Sequence, residues 1–252
     1  MTSSLRALPA ALALTFALAA CDSTASGPGS ALPAQFSSQI SLPDLQSHLL
    51  TGPTRVDVRV IPGTLVARRV QIEAPEELAR PEEVRSRVSA ISATADQGTV
   101  TLELGGLQIA FDASTRFRPD DGDGSEHDAM MSDDHGGATP ADFVARVQAE
   151  LAAGRHPAVK ARRAPPATPQ APDDATFLAT ELRLDQENDH PHISLNVTDA
   201  NLTTNPMPPP DGTLRLLGLS IELRVSDGTT TLHAEHPDLE GQHEFAGLVQ
   251  SP

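Results

Sequence analysis

The chain has no Trp, no Tyr and only 7 Phe among its 252 residues, so aromatic residues make up 3% of it. It has 1 Cys, which excludes a disulfide scaffold and a multi-cysteine metal site. Positive charge is scarce as well: Lys and Arg number 18 against 34 Asp and Glu, a formal net charge of -16. A chain this acidic repels a phosphate backbone and has few rings to stack on bases, which argues against nucleic acid as a partner. Hydrophobic content of 38% is low, while 22 Pro and 17 Gly are many, so loops and linkers take a large share. The length allows one large domain or two small ones.

Residues 1–20 read as a secretory leader. Arg6 supplies the positive start, and the apolar run from Leu8 to Ala20 is too short to cross a bilayer and remain there. The run ends in Leu18-Ala19-Ala20-Cys21, which resembles the bacterial lipobox. Small residues let the peptidase close on the backbone between Ala20 and Cys21, and a thiolate at Cys21 is the nucleophile that takes the diacylglyceryl group. Each buried methylene contributes roughly 0.8 kcal/mol, and two or three acyl chains together hold firmly. Residues 21–40 are rich in Ser, Ala, Gly and Pro, have no period, and read as a flexible tether.

Beyond the tether, one pattern is written twice. Thr64 to Glu73 aligns with Thr176 to Asp185, and Gly106 to Phe111 aligns with Gly218 to Leu223, each at an offset of 112 (64 to 176, 106 to 218). Each copy opens with a short helix. In the first, Ser41 caps, Pro43 sits in the first turn and Gly52 ends it. In the second, Thr139 caps, Pro140 follows, and Phe143, Val147 and Leu151 form an apolar stripe up to Gly154. Strands follow. Val56, Val58 and Val60 alternate with Arg55, Asp57 and Arg59, the mark of a half-buried strand. Further strands are expected around Val66–Ile72, Val84–Ala93, Val100–Leu104 and Leu107–Phe111, with Gly105-Gly106 as a hairpin turn. The second copy matches these around Leu178–Leu184, Ile193–Val197, Leu214–Leu216 and Leu219–Val225, with a sixth strand near Thr229–Ala234. Five or six short antiparallel strands and one helix per copy predict a small closed barrel, which removes exposed sheet edges.

The run Val88-Ser89-Ala90-Ile91-Ser92-Ala93, then Gly98-Thr99-Val100-Thr101-Leu102, Gly106-Leu107-Gln108-Ile109 and Asp112-Ala113-Ser114-Thr115-Arg116-Phe117, followed by a helix and two more strands, is similar to the bacterial envelope repeat of domain-of-unknown-function family 5666. The likeness covers most of residues 41–235. It implies a secreted or lipid-anchored protein with tandem repeats related to oligonucleotide/oligosaccharide-binding (OB) barrels, and no assigned activity. The chain departs from the pattern in the delayed Gly63, in the turn Ser226-Asp227-Gly228-Thr229, and in two polar insertions, 119–138 and 163–175.

Two clusters suggest metal chemistry. The loop at 119–138 carries Asp121 and Asp123 among several acids, together with His127 and His135. Hard carboxylates on a Gly-containing loop suit Ca²⁺, whereas His with Met130 and Met131 suits a softer ion such as copper; a solvated acidic insertion explains the same residues. It is not an EF-hand, because Ser132 stands where a bidentate Glu is required. Near the C-terminus, His233, His236 and His243 are candidate zinc ligands without an evident rigid frame. No Gly-x-Ser-x-Gly elbow, His-Glu-x-x-His helix or phosphate-cradling Gly loop occurs.

The resulting expectation is an all-β fold with minor helix: two tandem small antiparallel OB-like β-barrel repeats, 41–118 and 139–235, each preceded by a short helix, with a tail at 236–252. The expected protein is a non-enzymatic structural or binding module of the bacterial envelope. It sits on the membrane through lipid on Cys21 and faces the periplasm or exterior, with another envelope protein or a glycan as partner. Divalent-metal binding is the alternative, and a hydrolase with paired carboxylates a third reading.

Overall fold

Two helices begin by the same device. The Ser41 and Thr139 side chains accept hydrogen bonds from the backbone N–H of Asp44 (3.3 Å) and Asp142 (3.2 Å). Those aspartates accept in return from the Ser41 and Thr139 backbone N–H, at 2.9 and 3.1 Å. Such reciprocal caps satisfy donors that the first turn leaves open and contribute about 1 kcal/mol each. The helices they start are α1 (Leu42–Thr51) and α2 (Pro140–Ala152). Their apolar stripes, Leu42, Leu45 and Leu49 on α1 and Phe143 and Val147 on α2, are buried.

The computed structural model describes residues 35–94, 96–118, 139–185, 190–205 and 211–237. The strands are β1 (Gln35–Gln39), β2 (Thr54–Val60), β3 (Ala67–Ile72), β4 (Glu82–Ala93), β5 (Gly98–Leu102), β6 (Gln108–Phe111) and β7 (Arg116–Arg118) in the first half. In the second half they are β8 (Ala158–Arg163), β9 (Glu181–Asp185), β10 (His192–Val197), β11 (Leu202–Asn205), β12 (Asp211–Leu216), β13 (Leu219–Leu223) and β14 (Thr231–Pro237). The main sheet runs β1-β14-β3-β2-β10-β4-β8-β9-β7, with β5 and β6 branching from β4; β11, β12 and β13 form a second sheet.

This order is palindromic. Outward from the central β10–β4 pair lie β2 and β8, then β3 and β9, then β14 and β7, with antiparallel pairing inside and parallel pairing for the last step on either side. Val84 and Ile193 face each other at the centre. The 112-residue offset recurs in the contacts. Val66 bridges Glu222 and Ala110 bridges Leu178, and these four residues are related by that offset (66 to 178, 110 to 222). The Thr230 hydroxyl donates to the Ala67 carbonyl and the Thr115 hydroxyl to the Ala179 carbonyl, both at 2.7 Å, and the two acceptors are related by the same offset (67 to 179).

The halves therefore exchange strands. β4 of the first half pairs with β8 of the second, and β10 of the second pairs with β2 of the first. Among the described residues neither half closes on itself, and the expected closed OB-like barrels are not seen: the sheets are open, and the main one ends at β1 and β7. The expected tether also ends sooner, since residues 35–39 form β1 against β14. Their sequence, Gln-Phe-Ser-Ser-Gln, shows no apolar alternation, and the backbone partner that recruits them lies nearly the whole chain away. One apolar core is drawn from both halves, with Val56, Val84, Phe111, Leu182, Ile193 and Leu214 among its buried members. Phe143 of α2 packs against Phe117 of β7 at 5.1 Å, and Phe117 meets Phe111 edge-on at 5.5 Å. Among the described residues, no helix is long and apolar enough to cross a membrane.

Candidate functional site

Strict alternation gives the central strands two unlike faces. Val56, Val58, Val84, Ser86, Val159, Ala161, Leu182, Ile193 and Leu195 point into the core. The residues between them are charged or polar, and strand register lines them up across the sheet. One row reads Arg69, Arg59, His192, Arg85, Lys160, Arg183, Arg118, from β3 to β7. The adjacent row reads Gln71, Asp57, Ser194, Glu83, Arg162, Glu181, Arg116. In a chain of net charge -16, a row over seven strands with six Arg and Lys and one His is a local concentration of basic residues.

Most of these cations are held by neighbouring acids. Lys160 Nζ lies 2.8 Å from Glu83 Oε1, and Arg162 Nε donates to Glu83 Oε2 at 3.0 Å. Arg85 pairs with Asp185, and Arg118 with Glu181 at 3.1 Å. His192 Nε2 lies 2.6 Å from Asp57 Oδ2, and its Nδ1 lies 3.7 Å from Glu83 Oε1. Burial would push the Glu83 carboxyl up, but Lys160 and then Arg162 hold it below the usual glutamate range. Burial pulls the Lys160 ammonium down, against the opposing pull of Glu83. A cavity of about 230 Å³ opens on this face, lined by Arg59, Glu83, Arg85, Lys160, His190 and His192.

A second feature lies where β3 meets β14 on the same face. The Glu73 and Glu235 carboxyls share a hydrogen bond, and Gln71 donates to Glu235. Burial, reinforced by Glu235 and then by Asp57 and Glu77, pushes Glu73 up to about 8.

Of the residues singled out by sequence, His233 lies on β14, its Nδ1 3.2 Å from the Ser37 hydroxyl, and burial followed by the Arg69 charge lowers its affinity for a proton. His236 lies on the same strand, in register with Phe36, so the two histidines belong to a strand and not to a helix turn. Ala20, Cys21, Asp121, Asp123, His127, His135 and His243 lie outside the described residues. Among the described residues, no group of three or more His, Cys, Asp or Glu is placed to hold a metal ion. Sequence reasoning missed the basic row. Its raw signal was the Arg-Val-Asp-Val-Arg and Glu-Val-Arg alternation, but the row exists only because strands more than a hundred residues apart pair. Searches against protein-family models, curated proteins and solved structures find no match to this chain.

Proposed function

We propose that this chain is a lipid-anchored protein of the bacterial envelope whose folded body is a non-enzymatic binding module, with the charged face of the central sheet as its contact surface. The anchor is the diacylglyceryl group on Cys21, after the Leu18-Ala19-Ala20 that matches the lipobox. The observation that carries the binding reading is the row from Arg69 to Arg118, six Arg and Lys with His192 among them, beside a row of mixed acids, arginines and polar residues. A basic row beside a row of mixed sign selects a partner by charge pattern and register more than by apolar burial. The body is read as a duplicated unit, because the 112-residue offset recurs in its strand pairing. The resemblance to the envelope repeat agrees with this location and assigns no activity.

The anchor is tested by Cys21→Ser. Loss of the protein from the membrane fraction, and loss of an acylated N-terminal peptide in mass spectrometry, are expected. Equal membrane retention of the variant would refute the anchor. The contact surface is tested by cross-linking in native cells from Arg118 and Arg162. A partner captured from Leu50 on α1 but not from these positions would move the contact surface off the sheet.

A further inference from the structure

The palindrome of the main sheet supplies an internal comparison for one residue. Exchanging the halves about the Val84–Ile193 pair carries β2 onto β8, β3 onto β9 and β10 onto β4. Arg59 on β2 then matches Arg162 on β8. Arg162 stands across from Glu83 on one side and Glu181 on the other, and its guanidinium reaches both, at 3.0 and 3.8 Å. Arg59 stands across from His192 and Arg69. The two carboxylates that serve Arg162 are thus replaced by an imidazole and a guanidinium. Arg59 is exposed, lines the 230 Å³ cavity, and has no hydrogen-bond or ion-pair partner among the described residues.

The same cavity brings Arg85 and Lys160 together with a single carboxylate, Glu83. Glu83 is already engaged by Lys160 and Arg162, and Asp185 and Asp57 are engaged by Arg85 and His192. Like charges directly across strands are unfavourable, and Arg59 has a like charge at Arg69. An anion from outside would relieve that repulsion. A guanidinium fork accepts a carboxylate or a phosphate through two parallel hydrogen bonds.

We propose that this cavity is an oxyanion-binding site in which Arg59 is the principal ligand and Arg85 faces the same anion. The ligand class is a single carboxylate or phosphate group, presented by a sugar acid or as the free ion. The cavity is large enough for a group of monosaccharide size, and the absence of any Trp or Tyr from the chain leaves recognition to charge and hydrogen bonding. This assignment deepens the reading of the sheet face as a contact surface, and it stands whether or not Cys21 carries lipid.

Calorimetric titration of the full chain with glucuronate, with inorganic phosphate and with glucose tests it. Glucuronate or phosphate binds and glucose does not; glucuronate binding at least several times tighter than phosphate identifies a sugar acid, and the reverse order identifies the free ion. Arg59→Gln weakens the anion by about tenfold, the worth of one charge-assisted contact, with an unchanged circular dichroism spectrum. Arg155→Gln makes the same charge change at the exposed end of α2, beside Glu150, and leaves the affinity as it was. Full affinity in Arg59→Gln, an equal loss in Arg155→Gln, or no binding of either anion overturns the site. Anion binding that survives while the cellular cross-links from the sheet face vanish would instead break the broader reading of the contact surface.

Discussion

On one side of the Val84–Ile193 pair, Glu83 holds Lys160 at 2.8 Å and Arg162 at 3.0 Å. On the other side the matching positions are His192, Asp57 and Arg59, and the corresponding short contact, His192 to Asp57, is 2.6 Å. The register is the same, but Glu83 and Lys160 are exchanged for His192 and Asp57, while Arg162 is matched by another arginine, Arg59. The halves also part company further along. β4 runs unbroken over 12 residues and reaches β5 past a register shift between Val88 and Ala90. Its counterpart stops at Val197, turns through Asp199–Asn201, and restarts as β11 in a separate sheet. Asn201 holds that turn: its side chain accepts from Thr198 N–H at 3.0 Å and donates to the Arg215 carbonyl at 2.8 Å. The apolar faces of the halves are alike because they share one core. The polar faces diverge more freely because their contacts between the halves are ion pairs on the sheet face, such as Glu83 with Lys160 and Asp57 with His192, and not a shared apolar interior.

The comparison can be broken by substitution. The largest effect is expected at Glu83. Glu83→Gln leaves Lys160, only 8% exposed, without its carboxylate, and costs about 3–5 kcal/mol in urea unfolding. Asp57→Asn costs about 1 kcal/mol, since the replacing amide can still hydrogen-bond the His192 ring, 2.6 Å away, and strands no buried charge. Equal costs would show that the two contacts are equivalent after all. Next is Ile193→Ala at the centre, expected to cost about 2–5 kcal/mol. Because the strands are exchanged, both halves should melt in one calorimetric transition, lowered but not split; two transitions would mean that each half folds by itself.

A smaller contrast lies at two glycines. Gly98 stands across from Phe111, and Gly212 across from Leu223, at matching places in the pattern. A Cβ on Gly98 would collide with Phe111 Cζ and come within 2.6 Å of the Ser92 carbonyl, whereas on Gly212 the nearest atoms are at 3.3 and 3.4 Å. Gly98→Ala should cost about 1–3 kcal/mol and Gly212→Ala less than about 1 kcal/mol by thermal unfolding. The smallest effect is a pH dependence. Asp185 meets Arg85, but its counterpart 112 residues earlier (73 to 185), Glu73, meets the Glu235 carboxyl. Glu73 is raised from 4.5 to about 8 in the fold, so its neutral form is the favoured one. Its contribution is whole below pH 4.5 and is lost as pH rises toward 8. Glu73→Gln should therefore match the parent protein at pH 4 and exceed it in stability at pH 7. A variant that is less stable at pH 7 would put the Glu73 proton elsewhere.

Helix boundaries were legible because Ser41, Thr139 and the prolines after them act within a single turn. Most strands were legible because Val and Leu alternate with charge. The Gly105-Gly106 hairpin was legible too, and both glycines adopt positive φ, 59° and 74°. At the matching turn, Leu217 takes φ 53° and is buried, a strained placement that no turn preference would suggest. β1 escaped notice because its residues carry no apolar period. The candidate site escaped notice because Arg59, His192, Arg85 and Lys160 come from four strands spread over a hundred residues, and no local motif joins them.

Apart from β1 and the turn at Leu217, order along the chain, the face each side chain takes and the places where the backbone turns follow from amino-acid type and spacing, since caps, glycine turns and alternation act over a few residues. Which strand lies beside which does not. Backbone hydrogen bonds are the same for every partner, so pairing is settled by how all the apolar side chains fill a common interior. In this protein the resulting partner of each central strand belongs to the opposite half.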